Sequence, residues 1–148
     1  MSQPNDLLPG ALNAVRVCMG VKEADKVLIF TDQVTEKIGR ALQTAAVDCG
    51  AVVEIMFLEQ IGERPITSVP LRLWDFLDAY QPSVTFYAAS SQKGEIQFRI
   101  PLLETLREKY AVRHGHMIGV TPVLMQTGML ADYRAVSRRS GQIYELVK

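Results

Sequence analysis

Long apolar runs are missing from this sequence. No stretch approaches about 18 consecutive apolar residues, and the opening Met1-Ser-Gln-Pro-Asn-Asp6 has no basic segment leading into an apolar core. Neither a spanning helix nor an export signal is expected, and the composition is that of a cytoplasmic protein. Cysteine is scarce: Cys18 and Cys49 are the only two, so a disulfide or redox pair would require these two to be adjacent in space, and no Cys-x-x-Cys spacing points to a reactive thiol. Both fall on apolar faces of predicted helices, where a free thiol is expected to act as a small buried hydrophobe. A charge of one sign is also lacking. Sixteen basic residues offset sixteen acidic ones for a net charge of +0, so no overall field favours nucleic acid or an anionic membrane as partner. No Gly-x-Gly-x-x-Gly follows the first predicted strand, and no Gly-x-x-x-x-Gly-Lys-Ser/Thr occurs, which removes the two best nucleotide cradles. Gly-x-Ser-x-Gly is absent as well, leaving Ser90 and Ser91 without the setting of a hydrolase nucleophile.

What is present suffices for one domain. The chain has 148 residues, 48% hydrophobic and 22% charged, and a domain of that size buries roughly two-thirds of its unfolded surface. Ala11, Val15, Cys18 and Met19 recur at helical spacing before Gly20. Lys26 to Asp32 reads as a buried strand, and Ile38, Leu42, Ala45 and Cys49 mark a helix capped by Asp32 or Thr35 and stopped at Gly50. Ala51 to Leu58 gives a second strand and completes a right-handed βαβ unit with parallel strands. Glu59 to Pro70 shows neither period and is predicted as the longest loop. A helix follows through Leu71, Trp74, Leu77 and Tyr80, then a strand over Ser83 to Ala89. Pro101 is predicted to open the next helix, carrying Leu102, Leu103, Leu106 and Tyr110. A fourth strand is predicted over Val112 to Val120, a short helix from Thr121-Pro122 to near Gly128, and a last helix from about Ala131 to Val147. The expected architecture is a three-layer α/β sandwich whose four-stranded parallel sheet runs 2-1-3-4, an order that covers both faces with helices.

In such a sheet ligands bind beyond the carboxyl ends of the strands where strand order reverses, here between the first and third strands. Thr31, Asp32, Ser90, Ser91 and Lys93 meet at that rim and would suit a small polar or anionic ligand. The competing reading makes Asp32 and the serines helix caps and Lys93 a solvated cation. His114 and His116, the only histidines, project from one face of a strand, yet no Asp, Glu or Cys stands beside them to complete a metal site; the alternative is a hydrogen-bonded pair beneath a helix. Arg99, Arg138 and Arg139 have the fork needed to clamp a carboxylate, but Arg138 and Arg139 project from a predicted surface helix.

Several segments carry a family likeness. Met117-Ile-Gly-Val-Thr121, Leu124-Met125, Gly128-Met129 and Ala131-Asp132-Tyr133 form one stretch; Gly20-Val21, Asp25 to Ile29, Thr31-Asp32, Ile38-Gly39, Ala41-Leu42, Ala45-Ala46 and Gly50-Ala51 add to it. In this order they resemble the amino-terminal domain of the leucyl aminopeptidase family of aminopeptidase T type, over roughly Leu12 to Lys148. Many relatives carry a Ser/His/Thr loop followed by Ala-Arg after the third strand, where this chain reads Ser90-Ser-Gln-Lys-Gly-Glu-Ile-Gln-Phe-Arg99. The resemblance implies a non-catalytic domain that shapes one wall of a cleft and contributes to homodimer contacts. The divalent metals and peptide hydrolysis would belong to a carboxyl-terminal half with no counterpart before Lys148. No catalytic residue, metal ligand or cofactor is therefore assigned within the chain. The alternative is a stand-alone module that binds a small polar ligand or peptide at the rim.

Overall fold

Val27, Leu28, Ile29 and Phe30 are all fully buried, as a run without alternation requires of a strand covered on both faces. They belong to β1 (Lys26–Thr31) in a computed structural model that describes residues 6–148. Residues 1–5, part of the opening segment in which no export signal is expected, lie outside the described residues. β1 pairs in parallel with β2 (Val52–Phe57) and with β3 (Val84–Ala88), and β3 pairs in parallel with β4 (Arg113–His116). The order β2-β1-β3-β4 is the predicted one, and the fold is a three-layer α/β sandwich.

Each sheet face has its own core. Val27, Ile29, Val84, Phe86 and Ala88 pack under α1 (Leu8–Leu12), its continuation over Asn13–Cys18, α2 (Glu36–Asp48) and α6 (Pro122–Gln126). Leu28, Phe30 and Tyr87 pack under α3 (Leu58–Ile61), α4 (Leu71–Tyr80) and α5 (Ile96–Glu108). The chain closes with a 3₁₀ turn (Gly128–Leu130) and α7 (Tyr133–Val147), whose cap Asp132 accepts from the amides of Arg134 and Ala135.

Four expectations need correction. Cys18 is exposed, because the first helix widens into a π-helix over Asn13–Cys18, where the Met19 amide bonds the Ala14 carbonyl and the added residue per turn rotates Cys18 outward; Cys49, at the carboxyl end of α2, is half-buried against the core. α5 begins at Ile96, not at Pro101. The proline lies inside the helix on its exposed side, and the Gln97 carbonyl that it deprives of a donor belongs to an exposed residue. The Glu59–Pro70 segment is not wholly irregular, since α3 runs to Ile61. The fourth strand ends at His116, and the chain then turns through Gly119 at a φ of 69°.

The start of α2 approaches the end of β1 closely. A Cβ on Gly39 would lie 2.7 Å from Thr31 Oγ1 and 2.8 Å from Thr31 Cβ. Only glycine lets the first turns of α2 settle against the carboxyl end of β1. Among the described residues no helix is long and apolar enough to cross a membrane.

Candidate functional site

The carboxyl ends of β1 and β3 converge on Asp32, which is fully buried. Its Oδ1 accepts from the Thr35 amide at 2.8 Å and lies 2.7 Å from the Thr35 hydroxyl. Its Oδ2 accepts from Arg64 Nη1, from the Ser90 amide and from the Ser90 hydroxyl. Thr35 Oγ1 also lies 2.7 Å from the Ala88 carbonyl, and its single hydrogen serves either that oxygen or Asp32. Thr31 Oγ1, 3.1 Å away, supplies a further donor to Thr35. Thus α2 begins in a corner where β1, β3 and their following loops are fastened together.

Arg64 is the centre of that fastening. Its Nε and Nη2 reach the two oxygens of Glu95 at 2.5 and 2.7 Å, its Nη1 reaches Asp32 at 2.7 Å, and Nη2 also donates to the Ser90 carbonyl. Glu95 in turn accepts from the Ile66 amide, tying the 62–70 loop to the start of α5. Burial by itself pushes the Asp32 carboxyl up; the donors on Ser90, Arg64 and Thr35 outweigh it and hold the group well below the usual carboxylate range. Burial likewise opposes the Arg64 charge, and the two carboxylates more than restore it. A bidentate guanidinium between two buried carboxylates meets the requirement that buried charges be paired and hydrogen-bonded.

Of the five rim residues predicted, the structure brings Thr31, Asp32 and Ser90 together, with their polar groups engaged inside the protein. Ser91 and Lys93 are exposed on the 90–95 loop. Nothing in the sequence singles out Arg64 or Glu95. Their partners lie 31 and 32 residues away in separate segments, and no periodicity or motif links such positions.

One strand over, the arrangement is different. Tyr87 is fully buried between Phe30 and His116, with ring centroids 5.9 and 5.8 Å away, and its hydroxyl has no hydrogen-bond partner. Burial pushes its pKa well up; the nearest charges acting on it are those of Glu95, Arg64, Arg99 and Asp32. Arg99 Nε is buried and unpartnered too, and no carboxylate among the described residues pairs with this guanidinium. Arg99 Nη1 lies 3.5 Å from His116 Nε2, His116 Nδ1 lies 3.3 Å from His114 Nε2, and His114 Nδ1 lies 2.7 Å from Thr85 Oγ1.

Two proton arrangements are open to this chain, and only the first pairs a donor with an acceptor at every link. With both rings protonated at Nδ1, bonds run from Arg99 to His116 to His114 to Thr85. With both protonated at Nε2, the direction reverses, Thr85 donates to His114, and His116 turns an N–H toward Arg99. Burial holds His114 in its neutral form, with a pKa lowered to about 4; burial and the Arg99 charge lower that of His116. The adjacent guanidinium and the lack of a carboxylate do not fit a divalent metal centre. Among the described residues no three of His, Cys, Asp and Glu converge to hold a metal. The histidines lie on one strand face, as the spacing predicts. Arg138 and Arg139 are exposed, as expected.

No protein-family model and no curated protein matches the chain.

Proposed function

We propose that the chain is the non-catalytic amino-terminal domain of a leucyl-aminopeptidase-like metallopeptidase of the cytoplasm. In this reading it supports one wall of the cleft and the dimer contacts, and a catalytic half absent from this chain holds the metals and hydrolyses the peptide. The observation that carries the proposal, beside the sequence resemblance, is α7. None of its 15 residues is buried, although Tyr133, Val136, Ser140, Ile143 and Val147 follow a 3,7,10,14 spacing that makes a continuous seam. Ile143 is 55% exposed and Val147 76%. Its hydrogen bonds to the rest of the described chain lie at its start, through the Asp132 cap and the Tyr133 hydroxyl on the Gly128 carbonyl, and Val136, Ser137 and Arg138 border an open cleft with Arg16, Val17 and Cys18. A helix of this length with a glycine near its middle gains little from propensity alone and is stabilised by packing its apolar face. A larger assembly supplies that packing. Three arginines and one glutamate on α7 favour a partner surface with acidic edges.

The rim reading, a stand-alone small-ligand module, gains less support because Thr31 and Asp32 spend their hydrogen bonds on Thr35, Ser90 and Arg64. The test combines activity with association. The purified chain with zinc or cobalt is expected to release no product from a leucyl anilide, and sedimentation is expected to show a dimer that Val136→Asp with Ile143→Asp dissociates without loss of helical circular dichroism. Metal-dependent hydrolysis by the chain alone would overturn the proposal, as would a monomer at all concentrations that the double variant leaves unchanged.

A further inference from the structure

We propose that Arg99 and His116, backed by Tyr87, form a binding site for a compact oxyanion, a carboxylate or a phosphate, beyond the carboxyl ends of β3 and β4. The site does not depend on the aminopeptidase reading. Its warrant is an excess of donors over acceptors. Arg99 has no carboxylate partner among the described residues, its Nε is orphaned, and the hydroxyl of Tyr87, whose ring stacks on His116, is orphaned as well. Buried polar groups are almost always satisfied, so unmatched donors of this kind mark where an acceptor belongs. Arg64 shows the contrast: the neighbouring guanidinium fills its fork with Glu95 and Asp32 and leaves neither carboxylate free to compensate Arg99.

The histidine chain supplies the second donor. Arg99 Nη1 and His116 Nε2 stand 3.5 Å apart at an exposed edge, the outer limit of a hydrogen bond, so their mutual contact is weak. When both histidines carry the proton on Nε2, His116 and Arg99 each present an N–H, and one oxyanion accepts from both. Each ring keeps a single proton throughout; Thr85 changes from acceptor to donor at His114 Nδ1. Ligand binding is therefore coupled to a tautomer change that reaches from the surface to a buried threonine. The location agrees with the general preference of open parallel sheets to bind ligands beyond their carboxyl edge.

The experiment is a titration of the ¹⁵N-labelled full chain with inorganic phosphate, and separately with the dipeptide Leu-Gly and its carboxyl-terminal amide, following the imidazole nitrogens. Expected is a saturable change in which the protonated nitrogen of His116 moves from Nδ1 to Nε2 and His114 follows. Phosphate and the free dipeptide acting alike would show oxyanion recognition in general, phosphate alone a phosphoryl ligand, and the free dipeptide but not its amide a peptide carboxylate. Arg99→Gln is expected to weaken the effect about tenfold or more, the loss of a charge-assisted bond. Arg107→Gln, on the exposed side of the same helix against Glu108, is expected to change nothing. Folding of both variants is read from the amide spectrum. Unaltered imidazole signals with all three probes would overturn the proposal, and so would full binding in a folded Arg99→Gln variant.

Discussion

Arg64 and Arg99 serve the same end of the sheet under opposite circumstances. Arg64 directs Nε, Nη1 and Nη2 at Glu95, Asp32 and the Ser90 carbonyl, whereas Arg99 has one long contact to His116 and an empty Nε. The first guanidinium is consumed by folding, and the second is left over. The comparison separates charge that holds the carboxyl ends of the strands together from charge free to meet a ligand. Identical substitutions break or sharpen it. Arg64→Met leaves Asp32 and Glu95 buried without their cation, and is expected to cost about 3–5 kcal/mol, lowering the melting midpoint by on the order of 10 °C. Arg99→Met removes one long contact to His116 and an unmatched Nε donor, and is expected to stay within about 0.5 kcal/mol of wild type in urea unfolding. Equal costs at the two sites would erase the distinction.

Acid separates the two regions in a different way. Asp32 has its pKa depressed in the folded protein, so its stabilisation is complete above the unfolded value near 3.9 and is lost as pH falls toward the folded value. His114 is also depressed, to about 4. The unfolded chain takes up that proton from about pH 6.5 downward, and stability falls by about 1–3 kcal/mol between there and pH 4. Urea midpoints measured from pH 7 to pH 4 are expected to decline in wild type and to decline less in His114→Gln. A slope unchanged by the substitution would mean that His114 titrates normally. At the Asp32 corner, Gly39→Ala forces a methyl against Thr31 and is expected to cost about 1–3 kcal/mol. Its unfolding midpoint and the exchange rate of the Thr35 amide, which bonds Asp32, are the measures.

How far the sequence discloses these regions depends on the range of the interactions. The unbroken run Val27–Phe30 announces a central strand, and Ile38, Leu42 and Ala45 announce the helix behind it, because both patterns are local consequences of burial. Strand order follows from the need to cover two faces. Asp32 and Ser90 are legible as rim residues because the ends of β1 and β3 must lie side by side. Arg64 and Glu95 are not, since a loop arginine looks the same whether it faces solvent or two carboxylates. The π-turn at Asn13–Cys18 is equally silent: its single extra residue per turn overrides the 3.6 period that places Cys18 inside. Pro101 misleads because a proline is a good start signal, yet an exposed helix side tolerates it. The orphan donors on Tyr87 and Arg99 come from packing between distant segments, and what a side chain fails to meet is set by the folded arrangement, with no local trace in the sequence.

The smallest effect on stability and the sharpest on assembly are expected at α7. Ile143 is 55% exposed and touches neither core, so Ile143→Asp removes little buried area and is expected to alter the unfolding free energy of the isolated chain by no more than about 0.5 kcal/mol. The same change puts a carboxylate in the middle of the Tyr133–Val147 seam, where a partner would have to desolvate it, and is expected to weaken association by about tenfold or more. Equilibrium sedimentation beside urea unfolding reads the two quantities separately. A large loss of stability with no change in association would place α7 in the fold of the single chain. The reverse places the helix outside the cores that hold the sheet, as a surface kept for another molecule.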